Sequence, residues 1–158
     1  MNANSQTSVL EIEEAGQSSG YKPVVNVFYC LNALSPAAAA ALGGSPAVEV
    51  RLVRLPCSSM VKDVFLLRAF EAGADGVVVM VCPRGQCRFI EGNRRAQKRV
   101  GRVQKMLDSL GLGGERLVFL NAQDDEACAS RDLEQVLAGI GRLGPNPAAR
   151  PGVKIYQS

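Results

Sequence analysis

The sequence contains no histidine, and only 5% of its residues are aromatic. Without histidine the chain lacks the commonest general base and the commonest nitrogen ligand for metal ions. No Ser-His or Cys-His nucleophile can be assembled within it, so we expect no catalytic residues. Any metal bound by this chain must therefore rely on thiolates or carboxylates.

Long apolar runs and a strong net charge are missing as well. The longest apolar stretches, such as VVVMV at 77–81, fall far short of the roughly 20 residues that a membrane span requires. The first residues include glutamates and lack the apolar core of a signal peptide. A net charge of +3 is too small to indicate a general polyanion binder. We therefore expect a soluble, cytoplasmic protein.

Four apolar runs alternate with helical patterns along the chain. The predicted strands are 24–29, 48–55, 76–82 and 116–120. Helices are expected after each, starting at Pro36, at a Ser58 or Ser59 cap, at Asn93, and at an Asp124 or Asp125 cap. The order β-α-β-α-β-α-β-α predicts an α/β fold with an open four-stranded parallel sheet of the flavodoxin-like kind. The partly alternating strand 48–55 suits an edge, and the continuously apolar strand 76–82 a central position.

The predicted domain occupies residues 23–143. Residues 1–22 mix Ser, Asn, Gln, Gly and Glu, and are expected to form a flexible tail because they can bury little apolar surface. Residues 144–158 are expected to form a C-terminal tail, since GPNPAARPG ends regular structure.

Four of the five cysteines follow predicted strands: Cys30, Cys57, Cys82 and Cys87. The carboxyl ends of parallel strands share one edge of the sheet, so these thiols are expected to meet there. The alternative is that they are small buried residues with a packing role. Cys128, within the last predicted helix, is interpreted as a structural thiol.

If the four thiols bind metal, the choice lies between zinc and an iron-sulfur cluster. Structural zinc sites usually draw on two Cys-x-x-Cys knuckles, and this chain has none. Ligands spread over three loops better suit a 2Fe-2S cluster, in which each iron takes two thiolates. Gly85 allows the loop between Cys82 and Cys87 to turn tightly and to offer backbone N–H groups to sulfur.

Basic residues crowd the stretch 84–102, which holds one glutamate, Glu91, against seven cations: Arg84, Arg88, Arg94, Arg95, Lys98, Arg99 and Arg102. A solvated helix face is one interpretation. Nucleic-acid binding is another, although no aromatic residues are interleaved for base stacking. A third is that Arg84 and Arg88 lie beside an anionic cluster while the helix face docks an acidic partner.

The run from Phe65 to Val100 resembles the iron-sulfur delta subunit of methyl-viologen-reducing hydrogenase. The shared elements are AF-x-x-GADGV, the Cys82-x4-Cys87 loop, Phe89, Gly92-Asn93 and Arg99-Val100, with FYC at 28–30 and PCSS at 56–59 at the other two cysteine positions. The resemblance implies one 2Fe-2S cluster on Cys30, Cys57, Cys82 and Cys87. It also implies electron transfer between a redox enzyme and a heterodisulfide-reductase-A-like flavoprotein in a hetero-oligomeric complex.

The first loop departs from the family. Members of the family have a cysteine pair followed by a further cysteine there, where this chain has Cys30-Leu-Asn-Ala-Leu. The redox enzyme that the resemblance implies is a hydrogenase or a formate dehydrogenase. The departure favours a complex other than the methanogen hydrogenase, for example a bacterial one built around an aromatic acyl-CoA reductase or a methylenetetrahydrofolate reductase. The rival hypotheses are a structural adaptor without a functional cluster, a zinc-stabilised module and a nucleic-acid-binding protein.

Overall fold

The computed structural model describes residues 20–149, whose four strands form one parallel sheet. The strands are β1 (Val24–Cys30), β2 (Glu49–Leu55), β3 (Gly76–Val81) and β4 (Leu117–Asn121), in the order β2-β1-β3-β4. The all-parallel, flavodoxin-like sheet predicted from the sequence is thus confirmed, with β2 at an edge and β3 in the interior. Every residue of β3 is buried, because helices cover both faces of the sheet.

Four helices form the two outer layers: α1 (Pro36–Leu42), α2 (Asp63–Glu71), α3 (Gly92–Ser109) and α4 (Glu126–Gly141). Side chains alternate across β3, so Val78 and Met80 pack with α1 and α4, whereas Val77 and Val79 pack with α2 and α3. Each of the two long helices buries one apolar stripe, which consists of Val100, Val103 and Leu107 on α3 and of Leu133, Leu137 and Ile140 on α4. Leu110 is 67% exposed, because α3 ends at Ser109 and no element covers the following turn.

Two of the predicted helix starts are confirmed. Ser35 caps α1 by accepting a hydrogen bond from the Ala38 N–H at 3.2 Å, and Pro36 takes the first helical position. Asp125 caps α4 by accepting from the Ala127 N–H at 3.3 Å.

The predicted start of α2 is wrong. Ser58–Met60 form a separate 3-10 turn, in which the Cys57 sulfur accepts from the Ser59 N–H, and α2 begins only at Asp63. The buried stripe is Leu66, Ala69 and Phe70. Val64 and Phe65, although apolar, are 43% and 41% exposed.

At the amino ends of the strands, a buried polar network closes the sheet. Arg116 donates to the carbonyl oxygens of five residues at 2.9–3.2 Å: Leu112, Asp75, Gly144, Leu143 and Pro145. The Asp75 carboxylate accepts from the N–H groups of Val24 at 2.8 Å and Asn146 at 2.7 Å. The Asn146 side chain donates in turn to the carbonyls of Phe70 and Ala74.

The first residues after α4 therefore belong to the packed part of the molecule. The sequence assigns 144–158 to a tail, yet Asn146 is 3% exposed and bonded on every side. Residues 1–19, the greater part of the predicted N-terminal tail, and residues 150–158 lie outside the described residues.

Among residues 20–149, none of the helices combines the length and the apolar character needed to cross a membrane.

Candidate metal centre

The carboxyl ends of the two interior strands carry Cys30 and Cys82. Cys30 is the last residue of β1, and Cys82 follows the last residue of β3; they are 2% and 1% exposed. The strand order reverses between β1 and β3, since β1 connects to β2 on one side and β3 to β4 on the other. In open α/β sheets a ligand crevice forms outside this switch point. The parallel register thus places two of the four predicted ligands where this fold binds ligands.

Cys87 returns to the same edge through a tight loop after β3. Gly85 has a φ of 76°, a conformation that side chains disfavour, and this lets the loop reverse. Burial alone would raise the pKa of Cys87, but the backbone N–H groups of Asn93, Phe89 and Gly92 hydrogen-bond the sulfur and lower its pKa below the ordinary value. The N–H donors that the sequence suggested near Gly85 are instead supplied by residues after Cys87.

The Cys57 sulfur reaches this edge from the loop after β2. It accepts hydrogen bonds from the Ser59 hydroxyl at 3.2 Å and from the Ser59 N–H at 3.5 Å. A Cβ atom placed on Gly92 would lie 2.5 Å from the Cys57 sulfur and 3.1 Å from the Cys87 sulfur. The sum of these distances is the upper limit on the separation of the two sulfurs. Glycine at 92 therefore lets α3 begin directly against two thiols.

The thiols also influence one another electrostatically. Burial, reinforced by the neighbouring thiolates of Cys30 and Cys87, raises the pKa of Cys82 to about 12. Cys82 thus lies next to Cys30 and Cys87, and Cys87 lies next to Cys57 across Gly92. The structure brings together all four cysteines that the sequence predicted as ligands, in the order of neighbours Cys30, Cys82, Cys87 and Cys57.

Arg99 holds the Cys57 loop in place, a role that its sequence pattern did not reveal. The sequence placed Arg99 with the outward-facing cations of α3. It is instead half-buried, and its guanidinium donates to the Val61 carbonyl at 2.8 Å and to the Ser59 carbonyl. The neighbouring Arg102 makes a two-pronged ion pair with Asp63 at 3.0 and 3.1 Å. These contacts fasten the loop and the start of α2 to α3.

The thiol edge offers sulfur donors from three loops. Among residues 20–149, no group of three or more Cys, Asp or Glu side chains is already arranged to hold a metal ion. Four thiolates are a donor set that both structural zinc sites and iron-sulfur clusters use. The buried hydroxyl of Ser58, next to Cys57, has no hydrogen-bond partner among the described residues. A buried hydroxyl is normally paired, so this one fits an acceptor bound at the thiol edge.

The fifth cysteine, Cys128, has a different bonding partner from the four thiols. It is in the first turn of α4 and is partly exposed, not fully buried as a structural thiol would be. The Arg131 guanidinium donates to its sulfur at 3.1 Å.

The exposed border of the thiol edge is basic and apolar. Arg84 and Arg88 lie on the exposed loop between β3 and α3. Arg84 and Arg94 line a cavity of about 390 Å³ together with Gly85, Asn93, Gln97, Phe119 and Asn121. A second cavity of about 320 Å³ lies outside Gly92 and is lined by Ser59, Phe89, Ile90, Glu91 and Arg95. The thiol edge is thus approached through cationic and apolar side chains.

Comparison with known proteins gives two kinds of relative. The profile of the family described as methyl-viologen-reducing hydrogenase, delta subunit, matches residues 25–144. The vhu iron-sulfur subunit of the F420-non-reducing hydrogenase of Methanocaldococcus jannaschii is 36% identical over 131 residues, which make up 79% of this chain and 96% of the relative. The iron-sulfur subunit of the F420-non-reducing hydrogenase of Archaeoglobus profundus is 40% identical over 97 residues, or 61% of this chain and 71% of the relative.

The second kind of relative is a much longer protein. It is the A subunit of the ferredoxin/F(420)H(2)-dependent CoB-CoM heterodisulfide reductase of Methanosarcina acetivorans, which is 29% identical over 164 aligned positions. The match takes in 97% of this chain but only 20% of the reductase protein. In that protein a region similar to this chain is therefore part of a larger polypeptide.

Proposed function

The chain belongs to the family of the methyl-viologen-reducing hydrogenase delta subunit, and from that premise we propose that it is an electron-transfer subunit with a 2Fe-2S cluster on Cys30, Cys57, Cys82 and Cys87. The relatives' names support an iron-sulfur centre. The cluster type and its four ligands are our proposal.

The observation that carries the proposal is the order of the thiols along the sheet edge. Cys82 neighbours Cys30 and Cys87, and Cys57 neighbours Cys87, so the edge gathers four thiols from three loops. Four thiolates spread over three loops, without a Cys-x-x-Cys knuckle, favour a binuclear centre over zinc. When bound, such a cluster accepts and donates single electrons.

The protein's part is to hold and shield the sulfurs. The buried thiols of Cys30, Cys57 and Cys82 lie at the rim of a close-packed core that keeps water out. Backbone N–H groups of residues 89, 92 and 93 stabilise negative charge on Cys87, and the Ser59 hydroxyl does the same for Cys57. Hydrogen bonds to the ligating sulfur set the potential at which such a centre takes up an electron.

The partner that we propose is a heterodisulfide-reductase-A-like flavoprotein. The support is the reductase protein whose sequence includes a region similar to nearly all of this chain. A region that is part of the reductase protein in Methanosarcina acetivorans and makes up nearly all of a hydrogenase subunit in Methanocaldococcus jannaschii is expected to act beside such a reductase in both. We propose that this chain relays electrons between that flavoprotein and a second redox module in a cytoplasmic complex.

For the second redox module we propose a class of enzyme and not an individual protein. The hydrogenase proteins among the relatives favour a hydrogenase. A formate dehydrogenase is the other redox enzyme that the family resemblance implies. The single cysteine of the first loop favours instead an aromatic acyl-CoA reductase or a methylenetetrahydrofolate reductase.

A second candidate function is a structural adaptor of the same complex without a cluster. The first loop favours it, because Cys30 is the only thiol there. Electron flow through the purified complex distinguishes the two functions. It is measured for Cys57→Ser, with Cys128→Ser as the matched control. We expect Cys57→Ser to stop the flow and Cys128→Ser to leave it unchanged. Full flow with Cys57→Ser in an intact complex would establish the adaptor instead.

A further inference from the structure

Two apolar side chains protrude beside the thiol edge, where the chain turns between Cys87 and α3. Phe89 is 63% exposed and Ile90 is 87% exposed. Together these two residues are called the apolar tip. Exposed apolar side chains are common singly, but two adjacent ones at the border of a candidate metal centre mark a contact surface.

The backbone holds the apolar tip in a strained shape. Ile90 has a φ of 62°, and it is the only non-glycine residue between 20 and 149 with a positive φ. A β-branched residue disfavours that region, so the conformation persists only because its surroundings enforce it. The Ile90 N–H bonds the Cys87 carbonyl at 3.0 Å, and the Glu91 N–H bonds the Phe89 carbonyl at 2.6 Å. The turn therefore presents Phe89 and Ile90 to solvent as a fixed feature.

The apolar tip and the candidate ligand belong to one turn. Phe89 follows Cys87 by two residues, and the Ile90 N–H donates to the Cys87 carbonyl oxygen. The apolar tip lines the cavity of about 320 Å³ together with Ser59, which bonds the Cys57 sulfur, and Gly92, which lies against both sulfurs. A protein bound at the apolar tip would therefore be separated from the Cys57 and Cys87 sulfurs by a single layer of residues.

The border of the apolar tip is cationic. Five basic residues flank it on the loop and on the first turns of α3: Arg84, Arg88, Arg94, Arg95 and Lys98. Glu91 is the acidic residue among them, and it pairs with Arg95 at 3.6 Å in a largely exposed ion pair. An apolar centre within a cationic border complements an apolar centre within an acidic border.

We infer that the apolar tip and its cationic border form the docking surface for an acidic patch on the proposed redox partner. The inference rests on the proposed function and adds to it the place and the chemistry of the contact. Complexes of electron-transfer proteins are small, often below about 1,200 Å² of total buried area, so a surface of this size is sufficient. The cations steer the partner in, and the apolar tip fixes its position over Cys57 and Cys87.

The test uses the anaerobically purified chain and, as probe, the heterodisulfide-reductase-A-like flavoprotein of its own complex. The equilibrium affinity is measured for Ile90→Ser, with Leu110→Ser as the matched control because Leu110 is 67% exposed at the far end of α3. A second pair is Arg95→Glu/Lys98→Glu against Lys105→Glu, which lies further along the same helix. Iron content is measured for every variant.

We expect Ile90→Ser and the double charge reversal each to weaken binding about ten-fold or more, as for a central contact. The two control variants should stay within about two-fold of the unchanged chain. Binding should also weaken as salt is raised, and less so for the charge-reversed variant.

Several results would overturn the docking surface. One such result is unchanged partner affinity of the iron-loaded Arg95→Glu/Lys98→Glu variant. This variant leaves the Cys87 turn untouched, so it decides the question even if Ile90→Ser disturbs that turn. Another is that the variants keep their affinity for the flavoprotein but lose self-association. The surface would then bind a second copy of this chain. Failure of the proposed function is distinct: an iron-free wild-type chain contradicts the cluster, whereas an iron-loaded one with an unaffected tip contradicts the docking surface alone.

Discussion

At the amino ends of the strands, Arg116 donates to five backbone carbonyl groups and Asp75 accepts from two backbone N–H groups. At the carboxyl ends, four thiols lie next to one another, and a buried Ser58 hydroxyl has no partner among the described residues. Both ends are buried and polar. At the amino ends the chain fills the hydrogen-bonding capacity of Arg116 and Asp75, whereas at the carboxyl ends the described part of the chain leaves the Ser58 hydroxyl unpaired beside four thiols.

The difference separates a structural role from a functional one. A filled network stabilises the fold and offers nothing to a ligand. Burial, and after it the neighbouring thiolates of Cys30 and Cys87, raises the pKa of Cys82, and a bound cation would stabilise the thiolate form. We therefore expect substitutions at the amino edge to change stability and those at the carboxyl edge to change metal content.

Cys82→Ser should have the largest effect on the thiol edge. Cys82 is buried and neighbours two other thiols, so its loss removes one ligand and the contact that joins Cys30 to Cys87. We expect the iron content to fall from about two per chain to about zero. The measurement is iron and acid-labile sulfide in chains purified without oxygen.

Cys128→Ser is the control for that loss, because Cys128 bonds Arg131 and lies outside the set of four neighbours. Equal iron in the two variants would mean that Cys82 is not a ligand.

Arg116→Met should have the largest effect on the amino edge. It leaves five carbonyl groups without their donor, so we expect a loss of about 3 kcal/mol or more in the free energy of unfolding. Chemical denaturation measures the loss. The exposed Arg94→Met is the control, with an expected change within about 0.5 kcal/mol.

The same Arg116 variant sharpens the comparison between the two edges. Below its unfolding transition it should bind as much iron as the unchanged chain. If the folded variant bound no iron, the amino edge would not be purely structural.

Gly92→Ala tests the close approach of α3 to the thiols. The added Cβ would lie 2.5 Å from the Cys57 sulfur, so that sulfur or the helix start must move. We expect iron content to fall by half or more while the fold is kept. Gly101→Ala is the matched control on the same helix, where nothing lies within 4 Å, and it should stabilise the chain by about 1 kcal/mol.

For this pair the deciding quantity is iron per folded chain. If Gly92→Ala and Gly101→Ala bound iron equally, the contact of Gly92 with the two sulfurs would have no bearing on the metal centre.

The smallest effect is expected at Glu126, which joins the loop after Cys30 to α4. Hydrogen bonds from the Ser35 hydroxyl and from the Ser35 N–H, the latter at 2.7 Å, lower the pKa of Glu126. A lowered folded-state pKa means that the charged carboxylate stabilises the fold above the unfolded-state pKa, and that this contribution disappears as the pH falls through the folded-state pKa.

Glu126→Gln mimics the protonated form and should be slightly less stable than the unchanged chain at pH 7. Denaturation at a series of pH values should show the two proteins converging as the pH falls below the folded-state pKa of Glu126. A constant difference over that range would contradict an ionic contribution from this residue.

The sequence predicted the features that depend on local pattern. The apolar runs indicated four strands, Pro36 marked the start of α1, and the strand ends placed the cysteines at one edge. It misplaced α2 because Val64 and Phe65 are exposed on the helix, so its apolar pattern does not match its buried face.

Contacts between distant residues were not predictable in this way. Arg99 bonds residues 38 and 40 positions earlier in the chain, and Asn146 bonds carbonyls 72 and 76 positions away. The sequence around Arg99 shows only a run of basic residues, and that around Asn146 only a segment after a helix, so neither indicates these distant hydrogen bonds. For Gly92, the Gly-Asn pair shared with the family was a signal, but its physical reason required the positions of Cys57 and Cys87.

The most direct test is the iron and acid-labile sulfide content of the unchanged chain, purified without oxygen and examined for a paramagnetic signal after reduction. We predict about two irons and two sulfides per chain, with the signal appearing only in the reduced state. A chain that contains one zinc, or no metal, while still assembling with its partner would contradict a 2Fe-2S centre at the thiol edge.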